Sequence, residues 1–278
     1  EKAKTEQNIK AGLERLRTFQ VSNGGMAYWP GNSQADEWGT NYAGHFIIEA
    51  EKAGYKLPVN IKQKWLDYQK AQANAWQDYT MSNQWYALDH QLTQAYRLYT
   101  MALAGSANIG AMNRLKESGQ LKAVAAWRLA AAYAIIGKKK IAQDMMAREK
   151  EQVNYYNSRY SYTYGSQERD LGMKLETYAA LNNNTAGSSI LLRLASKLNS
   201  NRWMSTQTTA YALLGITKFI GQQASKEASF YYTLNGTKKT VSLSNKKTKR
   251  IVLPLKKGSL SIGNNSGGKL FVSVINKG

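Results

Sequence analysis

Apolar residues recur at three- and four-residue spacing through the first four-fifths of the chain, beginning with Ile9, Leu13, Leu16 and Phe19. That period places one face of a helix against a core and predicts helix after helix up to residue 223. Further helical stretches are expected over 38–53, 59–75, 82–104, 106–117, 119–136, 139–153, 167–182, 186–198 and 205–221, about ten helices in all. Breakers separate them: Gly54 with Pro58, Gly105, Gly119, Gly137 and the Asn182, Asn183, Asn184 run. After Gly221 the period changes to two. Residues 230–234, 239–243, 250–255, 259–263 and 270–275 alternate or run apolar like strands, and Asn235-Gly236 is a hairpin-turn signal.

Helix-opening segments recur about every 40 residues, near Trp38-Gly39-Thr40, Tyr79 to Ser82, Gly119 to Lys122, Tyr164-Gly165-Ser166 and Trp203 to Thr206. Their Ser and Thr residues suit N-caps, where a hydroxyl accepts from an unpaired backbone N–H. The helices that follow are rich in Ala (Ala125, Ala126, Ala179, Ala180), as close-packed inner helices require. The more charged stretch 61–72 belongs to an outer layer. Five such hairpins close into a ring or curve as a solenoid. The expected architecture is therefore mainly α: an α/α toroid over 1–223, followed by a small all-β segment over 224–278. That segment is thin in large apolar groups and is expected to pack on the helices or to lack strands supplied from elsewhere.

The loops between hairpins carry Gly, Asn and aromatics, as in 22–36 with Tyr28-Trp29 and 154–165 with Tyr155, Tyr156, Tyr160, Tyr162 and Tyr164. Alternation over 159–164 suggests a short strand or hairpin. Packing of these aromatics onto helix ends is expected ahead of sugar or peptide binding.

Composition narrows the function. Hydrophobic residues make up 43%, enough for a sizeable core, yet no apolar run approaches the roughly 20 residues of a membrane helix. A chain opening on Glu1 reads as a fragment or a processed product. With no cysteine, disulfides, thiol nucleophiles and Cys-ligated zinc are excluded. Two histidines, His45 and His90, supply no His-rich metal site, and no phosphate-cradling loop occurs. Net charge is +20, unevenly spread: from Gln222 onward 11 Lys/Arg face the single acid Glu227. Such a tail attracts anionic partners, whether nucleic acid, headgroups or an acidic surface. The plainer interpretation is a solvated lysine-rich sheet or a face complementing another domain.

No catalytic centre stands out. Asp170 in Gln167-Glu168-Arg169-Asp170 and the pair Asp36-Glu37 read as acids favoured at helix starts. Asp89-His90 reads as a buried or half-buried structural pair, and His45 as a packed histidine. Residues 19–29 bring to mind the Gln-Trp repeats of triterpene cyclases, whose Asp-rich acid motif is absent. Prenyltransferases need a Cys ligand. Toroidal glycoside hydrolases need two carboxylates facing across the ring, and that option stays open.

Three segments change the balance. One runs from Leu16 through Gly24-Gly25-Met26-Ala27-Tyr28-Trp29-Pro30-Gly31 and Asp36-Glu37-Trp38-Gly39-Thr40-Asn41-Tyr42 to Gly54-Tyr55. The second is Tyr162-Thr163-Tyr164-Gly165-Ser166-Gln167-Glu168-Arg169-Asp170. The third is Trp203-Met204-Ser205-Thr206-Gln207-Thr208-Thr209-Ala210-Tyr211. In this order they resemble the thioester domain of bacterial α2-macroglobulins, the family that includes complement proteins, over about residues 10–220. The resemblance implies a toroid inserted into a CUB-like β domain, with 229–278 similar to its returning portion. It also implies a non-enzymatic, protease-trapping inhibitor of the periplasm or cell surface, membrane-anchored through its parent chain. The implied partners are target proteases and the parent's other domains, with an anionic membrane surface reached through the parent; no specific nucleic acid is expected, and the fragment itself is monomeric. Many members trap proteases covalently through a Cys–Gln thioester in a Cys-x-Glu-Gln loop. Here Glu6-Gln7 is preceded by Lys4 and lies one helix from the Gly-Gly loop instead of two, so it is not that motif. The resemblance thus assigns no thioester, catalytic, cofactor or metal residue to this chain. It places the reactive hairpin, if the parent has one, upstream. The competing class is a toroidal carbohydrate-active enzyme or glycan-binding module.

Overall fold

A computed structural model of the chain describes residues 2–78, 84–118, 121–148, 162–223, 227–244, 249–254, 257–266, 270 and 272–275. Among these lie ten helices: α1 (Lys2–Leu16), α2 (Glu37–Lys52), α3 (Ile61–Ala75), α4 (Gln84–Leu103), α5 (Ile109–Glu117), α6 (Ala123–Ile135), α7 (Lys139–Arg148), α8 (Gln167–Leu181), α9 (Asn184–Leu198) and α10 (Thr206–Gln223). Three strands follow: β1 (Glu227–Leu234), β2 (Thr237–Ser244) and β3 (Leu260–Asn264).

The even-numbered helices form an inner layer in which each packs on the next, from α2 through α4, α6 and α8 to α10. Each odd-numbered helix from α3 to α9 lies outside, touching the two inner helices it connects, and α1 lies beside α2. Composition explains the layering. Helix α6 is apolar on all sides except Arg128, and every residue from Val124 to Ala134 is buried. A helix apolar all round must be surrounded by others. Outer α3 instead buries one stripe, Ile61, Trp65, Leu66, Tyr68, Gln69 and Ala73. Each fully buried large side chain, such as Trp65 or Leu92, contributes about 1.5–3 kcal/mol.

Small residues set the closest approaches. A Cβ on Gly44 would lie 2.1 Å from Trp65 Cε2, so α2 admits the indole only because position 44 has none. Helices α8 and α10 meet backbone to backbone: a Cβ on Gly172 would lie 2.6 Å from the Tyr211 carbonyl oxygen, and one on Gly215 2.5 Å from that of Gly172.

Caps fall near the expected places. Ser166 accepts from Arg169 N at 3.1 Å and Ser205 from Thr208 N at 3.1 Å. At α2 the cap is Asp36, accepting from Gly39 N, and not a hydroxyl. Helix α6 starts at Lys122 without a side-chain cap; instead Lys122 N donates to Gln91 Oε1 on α4 at 2.9 Å. Tyr79 to Ser82, Gly119, and Tyr155, Tyr156 and Tyr160 lie outside the described residues. Of the stretch expected as a strand over 159–164, the described Tyr162 and Thr163 form a turn.

The sheet is antiparallel with order β2-β1-β3. Asn235 and Gly236 both take positive φ, 49° and 83°, as the expected tight hairpin requires. The register places Phe230, Tyr232 and Leu234 beside Val241, Leu260 and Ile262 on one face. Two expected strands are corrected. Residues 249–254, 270 and 272–275 have no strand structure. Alternation predicts them, but a strand needs a neighbour to pair with, and among the described residues none lies beside them. Pro254 also has no N–H to give.

Candidate functional site

Each inner helix sends at least one polar side chain to a buried hub. Glu176 of α8 is at its centre, its side chain fully buried. Its Oε2 lies 2.8 Å from Arg128 Nη1 of α6. Its Oε1 accepts from Lys218 Nζ of α10 at 2.9 Å and from Tyr99 OH of α4 at 3.0 Å. Lys218 Nζ also lies 2.8 Å from Glu49 Oε1 of α2. His45, one turn before Glu49, has Nδ1 3.0 Å from Tyr96 OH and Nε2 3.6 and 3.8 Å from the two carboxylates.

Arg128 is held as much by rings as by charge. Its guanidinium carbon sits 4.2 Å from the Tyr99 ring centroid, 5.4 Å from Tyr96 and 6.0 Å from Tyr211. Its Nε and Nη2 find no oxygen acceptor among the described residues and point at aromatic surroundings, a cation–π cage. The neighbouring charges decide the ionisation states. Burial alone would raise both carboxyls. Lys218, Arg128 and His45 outweigh it at Glu176, which stays far below the usual carboxylate range. Glu49 is likewise held down, to about 2, by His45 and Lys218 against its own burial. Burial lowers the His45 pKa, against the pull of the neighbouring carboxylates.

This hub contains two carboxylates facing each other, the feature a toroidal glycoside hydrolase would need. They cannot divide the acid and base roles. Such an enzyme needs one carboxyl that holds a proton at neutral pH. Glu49 and Glu176 are both ionised, and the Lys218 ammonium bridges them.

Two further buried polar networks link the helices. In one, Asn41 Nδ2 donates to the Thr93 carbonyl at 2.9 Å, Gln69 joins Asn41 at 2.6 Å, and Arg97 Nε donates to Gln69 at 3.1 Å. In the other, Arg169 pairs with Asp170 at 2.7 Å, donates to the Thr163 carbonyl, and stacks over Trp38 at 5.0 Å. Asp170 thus serves more than a helix-start dipole: it is buried and neutralises a buried guanidinium. Asp89 is buried and accepts from Thr163 Oγ1 at 2.8 Å, while His90 is half-buried and stacks on Trp76. Asp36 caps α2, and Glu37 lies 3.4 Å from Arg97. His45 is packed as expected. Sequence pattern does not single out Glu49, Glu176 or Lys218, whereas the lone Arg inside the apolar run 124–134 is a legible signal for Arg128. Glu6 and Gln7 are exposed on α1.

The loop aromatics depart from expectation. Val21, Met26 and Ala27 pack inward, whereas Tyr28, Trp29 and Tyr164 stand 48%, 65% and 55% exposed. Tyr164 takes φ 51°, and its carbonyl accepts from Gln207 Nε2 at 3.2 Å. Its hydroxyl donates to that of Tyr28 at 2.9 Å.

Among the described residues no group of His and carboxylates could hold a metal, and no helix is long and apolar enough to cross a membrane.

Inner and outer helices stitched by a buried ionic hub, with a small antiparallel sheet after them, define an α/α toroid with a β appendage. That fold is the one found in bacterial α2-macroglobulins. The structure of native Escherichia coli α2-macroglobulin matches 94% of this chain at a TM-score of 0.66 and 19% identity; the chain spans 16% of that protein. Escherichia coli α2-macroglobulin activated by porcine elastase matches 96% of this chain at 0.65 and 19%, and is covered over 24% of its length. In sequence, Escherichia coli K12 α2-macroglobulin is 33% identical over 57 residues, 20% of this chain and 3% of that protein. No family model matches the sequence.

Proposed function

We propose that this chain is the helical ring and trailing β segment of a larger protease-trapping protein of the α2-macroglobulin kind, and that it supplies frame instead of chemistry. On this reading residues 1–223 correspond to a thioester-type domain without its reactive hairpin, and 224–278 to part of a CUB-like domain. The working site is extracytoplasmic, and the partners are target proteases and the parent's other domains.

The observation that carries the reading is a seam in the ring. Helices α2 and α10 run in the same direction but barely pack on each other. Side chains bridge them instead: Trp38 Nε1 donates to Gln207 Oε1 at 2.7 Å, the Tyr42 and Tyr211 rings sit 5.7 Å apart, and Lys218 reaches Glu49. On these two helices Tyr42 and Phe46 are 37% exposed and Leu213 51%. Inner and outer helices alternate around the ring, and α1 is an outer one. An inner helix preceding α1 would lie against this seam and cover those side chains. The resemblance puts a reactive hairpin, where a parent has one, at that place.

The test uses the polypeptide that contains this chain, incubated with elastase or trypsin. The protease should keep cleaving small peptide substrates while losing activity on large proteins. Unchanged activity on both substrates would reject the trapping role.

A further inference from the structure

We propose that the β unit is a peripheral docking surface for an anionic lipid bilayer. From Ala228 to Gly278 the chain has nine lysines, one arginine and no acid. Five of these bases, Lys238, Lys239, Lys249, Arg250 and Lys257, are described and exposed. Glu227, the first residue of β1, is the single carboxylate of the β unit, so their field is largely uncancelled there, and it reaches outward by about a Debye length, roughly 8–10 Å at ordinary salt.

Geometry gathers part of this charge. Asn235 N donates to the Ser259 carbonyl and Ser259 N to Asn235 Oδ1, both at 3.1 Å. These bonds bring Lys257, two residues before Ser259, to the same end of the sheet as the hairpin tip that bears Lys238 and Lys239.

A second observation points to lipid. The same segment exposes aliphatic side chains: Val252 at 85%, Val274 at 70% and Ile275 at 76%. Basic residues and exposed aliphatics on one segment are the chemistry of interfacial binding: lysines meet headgroups, and aliphatics enter the boundary below them. Nucleic acid fits less well. Its readers favour Arg, whose fork matches phosphate, and use open aromatic faces. Here one base in ten is Arg, and the Tyr231 ring is covered by Lys238 Nζ at 3.8 Å.

The experiment is vesicle co-sedimentation of the chain. It should sediment with phosphatidylcholine vesicles containing phosphatidylglycerol at low salt, stay free of pure phosphatidylcholine, and be released as salt rises. Each headgroup-facing lysine accounts for about fivefold in partitioning, so Lys238→Gln/Lys239→Gln/Lys257→Gln should lose about 100-fold. All three side chains are exposed, so the fold should survive, and helical circular dichroism checks that it does. Val274→Ser/Ile275→Ser should speed release by salt. No sedimentation at low salt, equal sedimentation with neutral vesicles, an unaffected triple variant, or displacement from vesicles by duplex DNA would each overturn the assignment. None of these results bears on protease trapping.

Discussion

The helical ring and the β unit solve opposite problems. The ring has apolar surface to spare and uses it to bury charges: Arg128 and Glu176 sit at its centre with no exposed side-chain area. The β unit has few large apolar groups and leaves several in solvent, among them Val252 and Ile275. A buried ion pair is poor evidence for stability, because desolvation offsets most of its attraction. Its value here is positional. Glu176 meets Arg128, Lys218 and Tyr99 where α8 comes together with α6, α10 and α4. The ring is therefore specified by its own interior, while the β unit has a register and a turn but little interior.

The sharpest way to break this contrast is to orphan one charge. Arg128→Met removes the guanidinium and leaves Glu176 buried with Lys218, Tyr99 and His45. Loss of one partner of a buried pair costs about 3–5 kcal/mol, and urea unfolding followed by helical circular dichroism should show it. Arg128→Met/Glu176→Leu should recover most of that loss. If the single variant is as stable as the parent, the hub is not what positions the ring.

A smaller effect is expected at the closest helix contact. Gly172→Ala puts a methyl 2.6 Å from the Tyr211 carbonyl oxygen, and backbone cannot move aside as a flexible side chain can. Overpacking of this kind costs about 1–3 kcal/mol, read in the same unfolding experiment.

Acid separates the two regions more gently. Glu49 is held at about 2 in the folded chain against 4.5 for the free group. Its stabilisation is therefore present above pH 4.5 and drains away as pH falls toward 2. His45 acts in the same direction at higher pH. It is lowered in the fold, so below pH 6.5 the unfolded chain takes up the proton first. The ring should lose stability steadily on acidification from pH 6.5, with Glu49→Gln flattening the lower part of the curve. The β unit contains a single acid, Glu227. Its amide-exchange protection should stay level over the same range.

Much of the ring was legible because helical periodicity and small-residue content report on burial directly. Helix α6 is recognisable from its Ala run, and α10 from Ala210, Ala212 and Gly215. The hub was not legible. Arg128 stands out as the lone charge of an apolar helix, but Glu176 is far away in the chain and looks like an ordinary helix-surface charge; only the packing of α6 against α8 makes them partners. The sheet failed in the other direction. Alternation over 250–255 and 270–275 describes residues that could form strands, but pairing depends on a neighbour that sequence pattern cannot supply. The aromatic loops divide in a similar way: Met26 and Val21 carry the packing, and the larger Tyr28 and Trp29 stand outside it.

The last prediction is for a change with almost no effect on stability. In a buried position, Val→Ser would remove apolar contacts and strand a hydroxyl. At Val252, with 85% of its surface exposed, there is little contact to lose and water satisfies the hydroxyl. Val252→Ser should shift unfolding by no more than about 0.5 kcal/mol. A larger loss would mean that the segment around Val252 is packed in solution, and the contrast between a ring with a buried interior and an open β unit would have to be redrawn there.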